Sequence, residues 1–324
     1  MKYYICANTS LGYWDFTRDN TYDVQTTVSI NCINPYVTDW VLSTFCEELN
    51  ENYDAIVSPG SDILKSGIIL KSRRKAFVSN CEEALECINL DKYFDLNLPS
   101  DKAVQKRKEM EACYSKAKLV HDEWEKIYIS NMDFPKLDSF CNGMLGLLVN
   151  GESKEGTGKV YKRFFGTTTP EGAVNFIDDI TASLGKRYFI KGRPGTGKST
   201  FLKKLCRHLT ERGYDVEEYH CSFDPKSLDM VVSRELSFCV FDSTAPHEKF
   251  PTRQSDEILD FYRESGLYGI DEKYKKELAE TKKSYDAFVK SGAKALKEAI
   301  TIENKEYLKQ FQKVKNTADI KLLF

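Results

Sequence analysis

The chain repeats itself. At an offset of 160 positions Thr9 meets Thr169, Gly12 meets Gly172, Phe16 meets Phe176, Ile30 meets Ile190, Leu42 meets Leu202, Cys46 meets Cys206, Leu49 meets Leu209 and Glu51 meets Glu211. After a two-residue slip the offset becomes 162, where Asp62 meets Asp224, Ile68-Ile69-Leu70 meets Met230-Val231-Val232 and Val78 meets Val240. A period this long describes two whole domains and not a solenoid, whose units run roughly 20 to 50 residues. The predicted organisation is a first domain over 1–150 and a second over 159–324, with the boundary in the small and charged residues Gly151 to Gly158. With 324 residues and 41% apolar content, there is material for two cores.

The second copy is the easier to read. Thr169-Pro170-Glu171 reads as a helix start, followed by Val174, Ile177, Ile180 and Leu184 at helical spacing, with Gly185 as the stop. Arg187 to Ile190 reads as a short strand. Ser199 to Arg212 reads as a helix with its stripe at Phe201, Leu202, Leu205, Cys206 and Leu209, closed by Gly213. Strands follow near Val216–Cys221 and Leu236–Phe241, and Ile320–Phe324 reads as a closing strand. This alternation predicts α/β architecture: two tandem three-layer domains with mainly parallel sheets.

Each copy also carries a charged helical arm, predicted at 101–130 and 271–316. Met110, Cys113, Ala117, Val120, Trp124 and Ile127 form one heptad seam; Tyr274, Leu278, Thr281, Tyr285, Phe288 and Gly292 form the other. The seams can meet each other, a second subunit's arms in a homodimer, another protein, or their own domains. A helix from 271 to 300 would span ~45 Å, enough to act as a lid.

Between the first strand and helix of the second copy stands Gly192-Arg193-Pro194-Gly195-Thr196-Gly197-Lys198-Ser199-Thr200, which fits G-x-x-x-x-G-K-[ST]. Chance would produce this pattern in about one chain in a hundred of this length. Glycines let the backbone wrap a polyphosphate with its N–H groups inward, and the helix adds its positive dipole end. Lys198 is then the β/γ-phosphate cation, and Ser199 a Mg²⁺ ligand. Leu236 to Asp242 is an apolar strand ending in an acid, the arrangement that holds the metal from its outer shell. Lys198 and Asp242 are the catalytic candidates. Ser243 stands where fast ATPases carry a Glu; Glu248 and Glu235 are candidate substitutes, and Arg234, Arg253 and Arg263 are candidate charge stabilisers.

In the first copy, Cys32, Val37, Thr38 and Asp39 replace Gly192, Gly197, Lys198 and Ser199, and at offset 162 Asn80 replaces Asp242. A branched residue and an acid oppose a polyphosphate, so the first half is expected to bind no nucleotide.

The run Phe164 to Gly172, the loop Gly192 to Thr200, Tyr219 to Met230 and Asp242 to Glu248 together resemble a bacterial family of tandem P-loop ATP-binding proteins of undetermined function, within the P-loop NTPase superfamily. The resemblance is strong over about 160 to 260, and the chain departs from it in the first half, where the family usually keeps a P-loop. It implies ATP, an α/β sandwich and a cytosolic setting, and supplies no reaction. The Asp224 to Asp229 and Ala245 to Glu248 runs follow strands at the edge where open α/β sheets bind ligands, or are turn chemistry.

The function expected from these residues is Mg·ATP binding with slow hydrolysis or phosphoryl transfer to a small acceptor; the other reading is a nucleotide-sensing interaction module. No N-K-x-D base-reading motif occurs, Asn316-Thr317-Ala318-Asp319 being a near miss, so adenine is expected over guanine. A formal charge of −2 gives no cationic excess for nucleic acid or anionic lipid. Without a signal-peptide core or an apolar run of membrane length, the expected compartment is cytoplasmic and no membrane partner is expected. Ten cysteines without a C-x-x-C pair read as buried thiols, and four scattered histidines assign no zinc.

Overall fold

The computed structural model describes residues 1–49, 51–94 and 96–317. The first half runs β1 (Lys2–Tyr3), β2 (Cys6–Thr9), β3 (Gly12–Asp15), α1 (Thr17–Thr21), β4 (Thr26–Asn31), α2 (Pro35–Glu47), β5 (Asp54–Val57), β6 (Lys65–Leu70), β7 (Lys75–Ser79) and β8 (Glu86–Asn89), then α3 (Asp101–Ile129) and α4 (Phe134–Leu148). The second half runs β9 (Val160–Arg163), β10 (Gly166–Thr169), β11 (Gly172–Asn175), α5 (Ile177–Thr181), β12 (Lys186–Lys191), α6 (Lys198–Glu211), β13 (Val216–His220), β14 (Leu228–Ser233), β15 (Phe238–Asp242) and β16 (Glu257–Asp260). It closes with α7 (Phe261–Glu264), α8 (Ile270–Lys273) and α9 (Lys275–Thr317). The expected strand at Ile320–Phe324 lies outside the described residues.

The fold is mixed α/β. Its two six-stranded sheets have one topology, β1-β5-β6-β7-β4-β8 and β9-β13-β14-β15-β12-β16, each with three parallel and two antiparallel pairings. The duplication read from the sequence is thus repeated strand for strand. The slip inside it is three residues, not two: β4 pairs Ile30 with Ser79 where β12 pairs Ile190 with Asp242. Arg74 and Ser237, which precede β7 and β15, share an unusual positive φ of 50° and 55°. The counterpart of Asp242 is therefore Ser79 and not Asn80, and that of Asp224 is Ser61 and not Asp62.

Thr169-Pro170-Glu171 does not start a helix. Pro170 and Glu171 form the two-residue turn of the β10–β11 hairpin, with Gly172 at φ +130° and the Thr169 hydroxyl donating to the Gly172 carbonyl at 2.9 Å. A glycine in a conformation that side chains disfavour ends the turn, and the apolar residues behind it leave only the short α5.

The two halves meet about a pseudo-two-fold. Tyr4 and Phe164, counterparts at offset 160, exchange both backbone hydrogen bonds at 3.0 and 2.8 Å. Around them Tyr4 stacks on Phe176 at 5.2 Å and Phe16 on Phe164 at 5.0 Å, two further pairs related by the same exchange. This is the reciprocal contact expected of a symmetric dimer, made within one chain.

The layering differs from two separate three-layer domains. One continuous core joins Ile56, Ile69 and Val78 of the first sheet to Phe189, Met230 and Phe241 of the second. The outer faces carry the long helices, and these cross over. Leu137, Cys141 and Met144 of α4 pack on the second sheet beside α6, while Val314 and Phe311 of α9 pack on the first beside α2.

Both arms form near their predicted bounds and lie against each other. Gly292 of α9 contacts Tyr114 of α3 so closely that a Cβ would stand 2.5 Å from the ring. His121 meets Tyr285, and Tyr128 shares a cluster with Leu278. These pairs step by seven residues in opposite directions, an antiparallel heptad seam, centred on α3 at Tyr114, His121 and Tyr128, one position on from the predicted Cys113, Val120 and Ile127. Arg107 closes one end on Glu303 at 2.6 Å. No helix among the described residues is long and apolar enough to cross a membrane.

Candidate functional site

Strand β12 delivers the chain into the loop Gly192 to Gly197, and α6 leads away from it. Gly195 and Gly197 hold φ of +74° and +81°, and Gly197 is the residue before the helix. Glycine at 195 has a second cause: a Cβ there would lie 2.7 Å from the Glu125 backbone oxygen, because α3 passes directly over the loop. The Lys198 ammonium donates to the Arg193 carbonyl at 2.8 Å and sits 3.5 Å from the Asp242 carboxylate. The Ser199 hydroxyl accepts from the Leu228 N–H at 2.9 Å, tying the start of α6 to β14. Asp242 is steadied by the Thr244 N–H and hydroxyl at 3.1 and 2.7 Å.

A second carboxylate enters from β14. The antiparallel pairing of Met230 with Phe241 places Asp229 opposite Asp242. Asp229 is 8% exposed. Burial, with Asp242 facing it, pushes its carboxyl up to about 8. The sequence reading placed Asp229 in a loop; strand pairing was the missing signal. In the first half the counterparts of this pair are Ser66 and Ser79, so the fold itself does not require two acids there.

Loop and carboxylates open on a cavity of about 910 Å³. Its walls are the β10–β11 hairpin, α4, and the turns Cys221–Asp229 and Asp242–His247. Its roof is made by α3 and α9 together. His247 packs edge-on against Phe165 at 4.9 Å, and burial lowers its pKa. The Asp224 to Asp229 and Ala245 to Glu248 runs thus fall at the carboxyl edge of β12 and β15, as expected for a ligand edge.

Pro194 to Thr200 line the cavity, and so does Asp242. The Arg193 side chain does not: it turns out to Asp271 at 2.7 Å, and Asp271 also accepts from the Tyr128 hydroxyl at 2.9 Å. The candidate charge stabilisers are committed elsewhere. Arg234 pairs with buried Glu217, Arg253 donates to the Leu184 carbonyl at 2.9 Å, and Arg263 lies 3.5 Å from Glu264. Glu248 pairs with Lys191 and Glu235 with Lys154, and neither lines the cavity, whereas Asp229 does.

At the matching edge of the first sheet the cradle is closed. There α2 begins at Pro35 after a three-residue loop, and the Asn34 side chain accepts from the Tyr36 and Val37 N–H groups at 3.0 and 3.4 Å. The donors that would hold an anion are capped. Asp39 takes the place of Ser199, accepting from the Lys65 N–H at 2.8 Å as Ser199 does from Leu228. The remaining cavity measures about 360 Å³.

All ten cysteines are free thiols. His121, Asp122 and Glu125 bring ligand atoms within 4.8 Å of one another, but Asp122 is already bonded to Lys118. Comparison with known protein families, curated proteins and solved structures returned no match.

Proposed function

We propose that this protein binds Mg·ATP in the loop Gly192 to Thr200 and transfers its γ-phosphoryl group to a small molecule held under the paired arms. The observation that carries the reading is the cradle itself: two left-handed glycines at the start of α6, with Lys198 and Asp242 3.5 Å apart at its mouth. A glycine loop, a helix N-terminus and an ammonium stand together there, which suits a polyphosphate.

Ser199, Asp242 and Asp229 offer hard oxygen donors, the set Mg²⁺ prefers. Bound there, Mg²⁺ would neutralise charge on the β- and γ-phosphates. Lys198 orients the γ-phosphate, and in doing so exchanges its bond to the Arg193 carbonyl for bonds to phosphate. The acceptor hydroxyl oxygen attacks phosphorus as the bond to the β,γ-bridging oxygen breaks and ADP departs. Asp242, beside Lys198, receives the hydroxyl proton.

A second reading, a nucleotide-sensing module, draws on the Arg193–Asp271–Tyr128 chain, which links the loop to the base of both arms. One experiment separates the readings. The full chain is incubated with γ-labelled Mg·ATP and a small-molecule extract. Label in a new organic phosphate supports transfer, free phosphate supports an ATPase, and bound but intact ATP supports sensing. Absence of any ATP binding rejects all three.

A further inference from the structure

We infer that the arm side of the cavity is a second binding compartment, built for a planar organic anion. The inference rests on the phosphotransferase reading, whose acceptor it describes. The loop touches the roof at Glu125. Eleven residues back along α3, roughly 16 Å of helix axis, stands Tyr114, still lining the same cavity. Between these levels the wall is aromatic. Tyr114 meets Phe223 edge-on at 5.7 Å, Phe223 meets Tyr285 edge-on at 5.8 Å, and His121 lies 5.6 Å from Tyr285. His121, Phe223 and Tyr285 are only partly buried, so they keep ring surface that can meet a flat ligand.

Beyond the rings, α9 contributes Lys294 and Lys297, one turn apart and both on the cavity. Neither ammonium has a hydrogen bond or salt bridge among the described residues, although Lys294 feels the charge of Glu298. Of the acids on the cavity, Asp224 pairs with Lys118 at 3.3 Å and Asp138 with Lys204 at 2.8 Å, while Glu125 faces His121 and Glu171 stands at the exposed tip of the hairpin. Two uncommitted cations beside an aromatic wall suit a ring bearing phosphate or carboxylate. An adenine ring of the ATP in the loop is neutral and gains nothing from them. The volume of about 910 Å³ is at the upper end for one small ligand, which leaves room for two.

The test is calorimetry on the full chain with its loop filled by Mg·β,γ-imido-ATP. The probes are AMP, flavin mononucleotide and 4-hydroxybenzoate, with ribose 5-phosphate as the non-planar control and adenosine as the uncharged one. At least one planar anion is expected to bind at least tenfold more tightly than both controls. Lys294→Glu/Lys297→Glu is expected to weaken that binding at least tenfold, and Tyr285→Ala also to weaken it, with imido-ATP affinity unchanged. If imido-ATP binds and none of the planar anions does, or if charge reversal leaves their affinity intact, the compartment is refuted and the loop assignment stands. If imido-ATP itself fails to bind, the loop assignment is what falls.

Discussion

Asp229 and Asp242 face each other across the antiparallel pair β14–β15, two carboxylates in one buried wall beside Lys198. Burial, with Asp242 opposite, pushes the Asp229 carboxyl up to about 8, and an acid held so far above its ordinary range costs the folded state stability at neutral pH; the first half of this chain has serines at both positions. The pair costs the empty protein stability and provides hard donors for a cation. Asp229→Asn is therefore expected to raise the melting temperature of the ligand-free protein while reducing the additional stabilisation given by Mg·ATP. Calorimetric melts with and without Mg·ATP check this; a variant that melts lower when empty would show that the buried acid is not a cost to the empty protein.

Lys198→Ala should weaken ATP binding. Charge-assisted hydrogen bonds are worth about 1.5–3 kcal/mol each, or roughly ten- to 150-fold in affinity. Thr38→Ala, at the matching position of the first half, should leave ATP affinity within about twofold, since Asn34 already caps that helix. Titration calorimetry reads both, and equal effects of the two substitutions would contradict the asymmetry between the halves.

Gly292→Ala tests the seam between the arms. Alanine favours the helix by about 1 kcal/mol, but its Cβ would stand 2.5 Å from the Tyr114 ring, so the ring or the helix must shift. Overpacking of this kind costs about 1–3 kcal/mol, so a net loss of stability is expected. Adding Tyr114→Leu should recover part of it in denaturant melts, whereas independent effects would mean that the arms do not meet there.

Glu217 predicts a pH response. Burial alone would raise its carboxyl; Arg163 and Arg234 outweigh that and hold it down at about 2, against 4.5 in the unfolded chain. A depressed acid contributes stability that is complete above the unfolded value and lost as pH falls toward the folded one. Stability should therefore drop between about pH 4.5 and pH 2, and Glu217→Gln should flatten that limb while lowering stability at pH 7. Urea midpoints across the range measure it, and an unchanged acid limb in the variant would assign the drop to other groups.

The sequence by itself determined what is local or periodic. The 160-residue offset fixed the duplication, because equivalent strands and helices keep equivalent apolar positions. Gly195 and Gly197 fixed the loop, because few residues tolerate its backbone, and heptad spacing marked both arms as helices. Tertiary structure decided what depends on partners far along the chain. Asp229 stands opposite Asp242 only through strand register, which a one-residue slip would invert. The hairpin at Thr169–Gly172 was misread because its apolar residues at 174, 177 and 180 mimic a helical period. The crossing of α4 and α9 onto opposite sheets, and the roof that α3 and α9 leave over the loop, go with the Tyr4–Phe164 pseudo-two-fold, which brings together surfaces that no local pattern records.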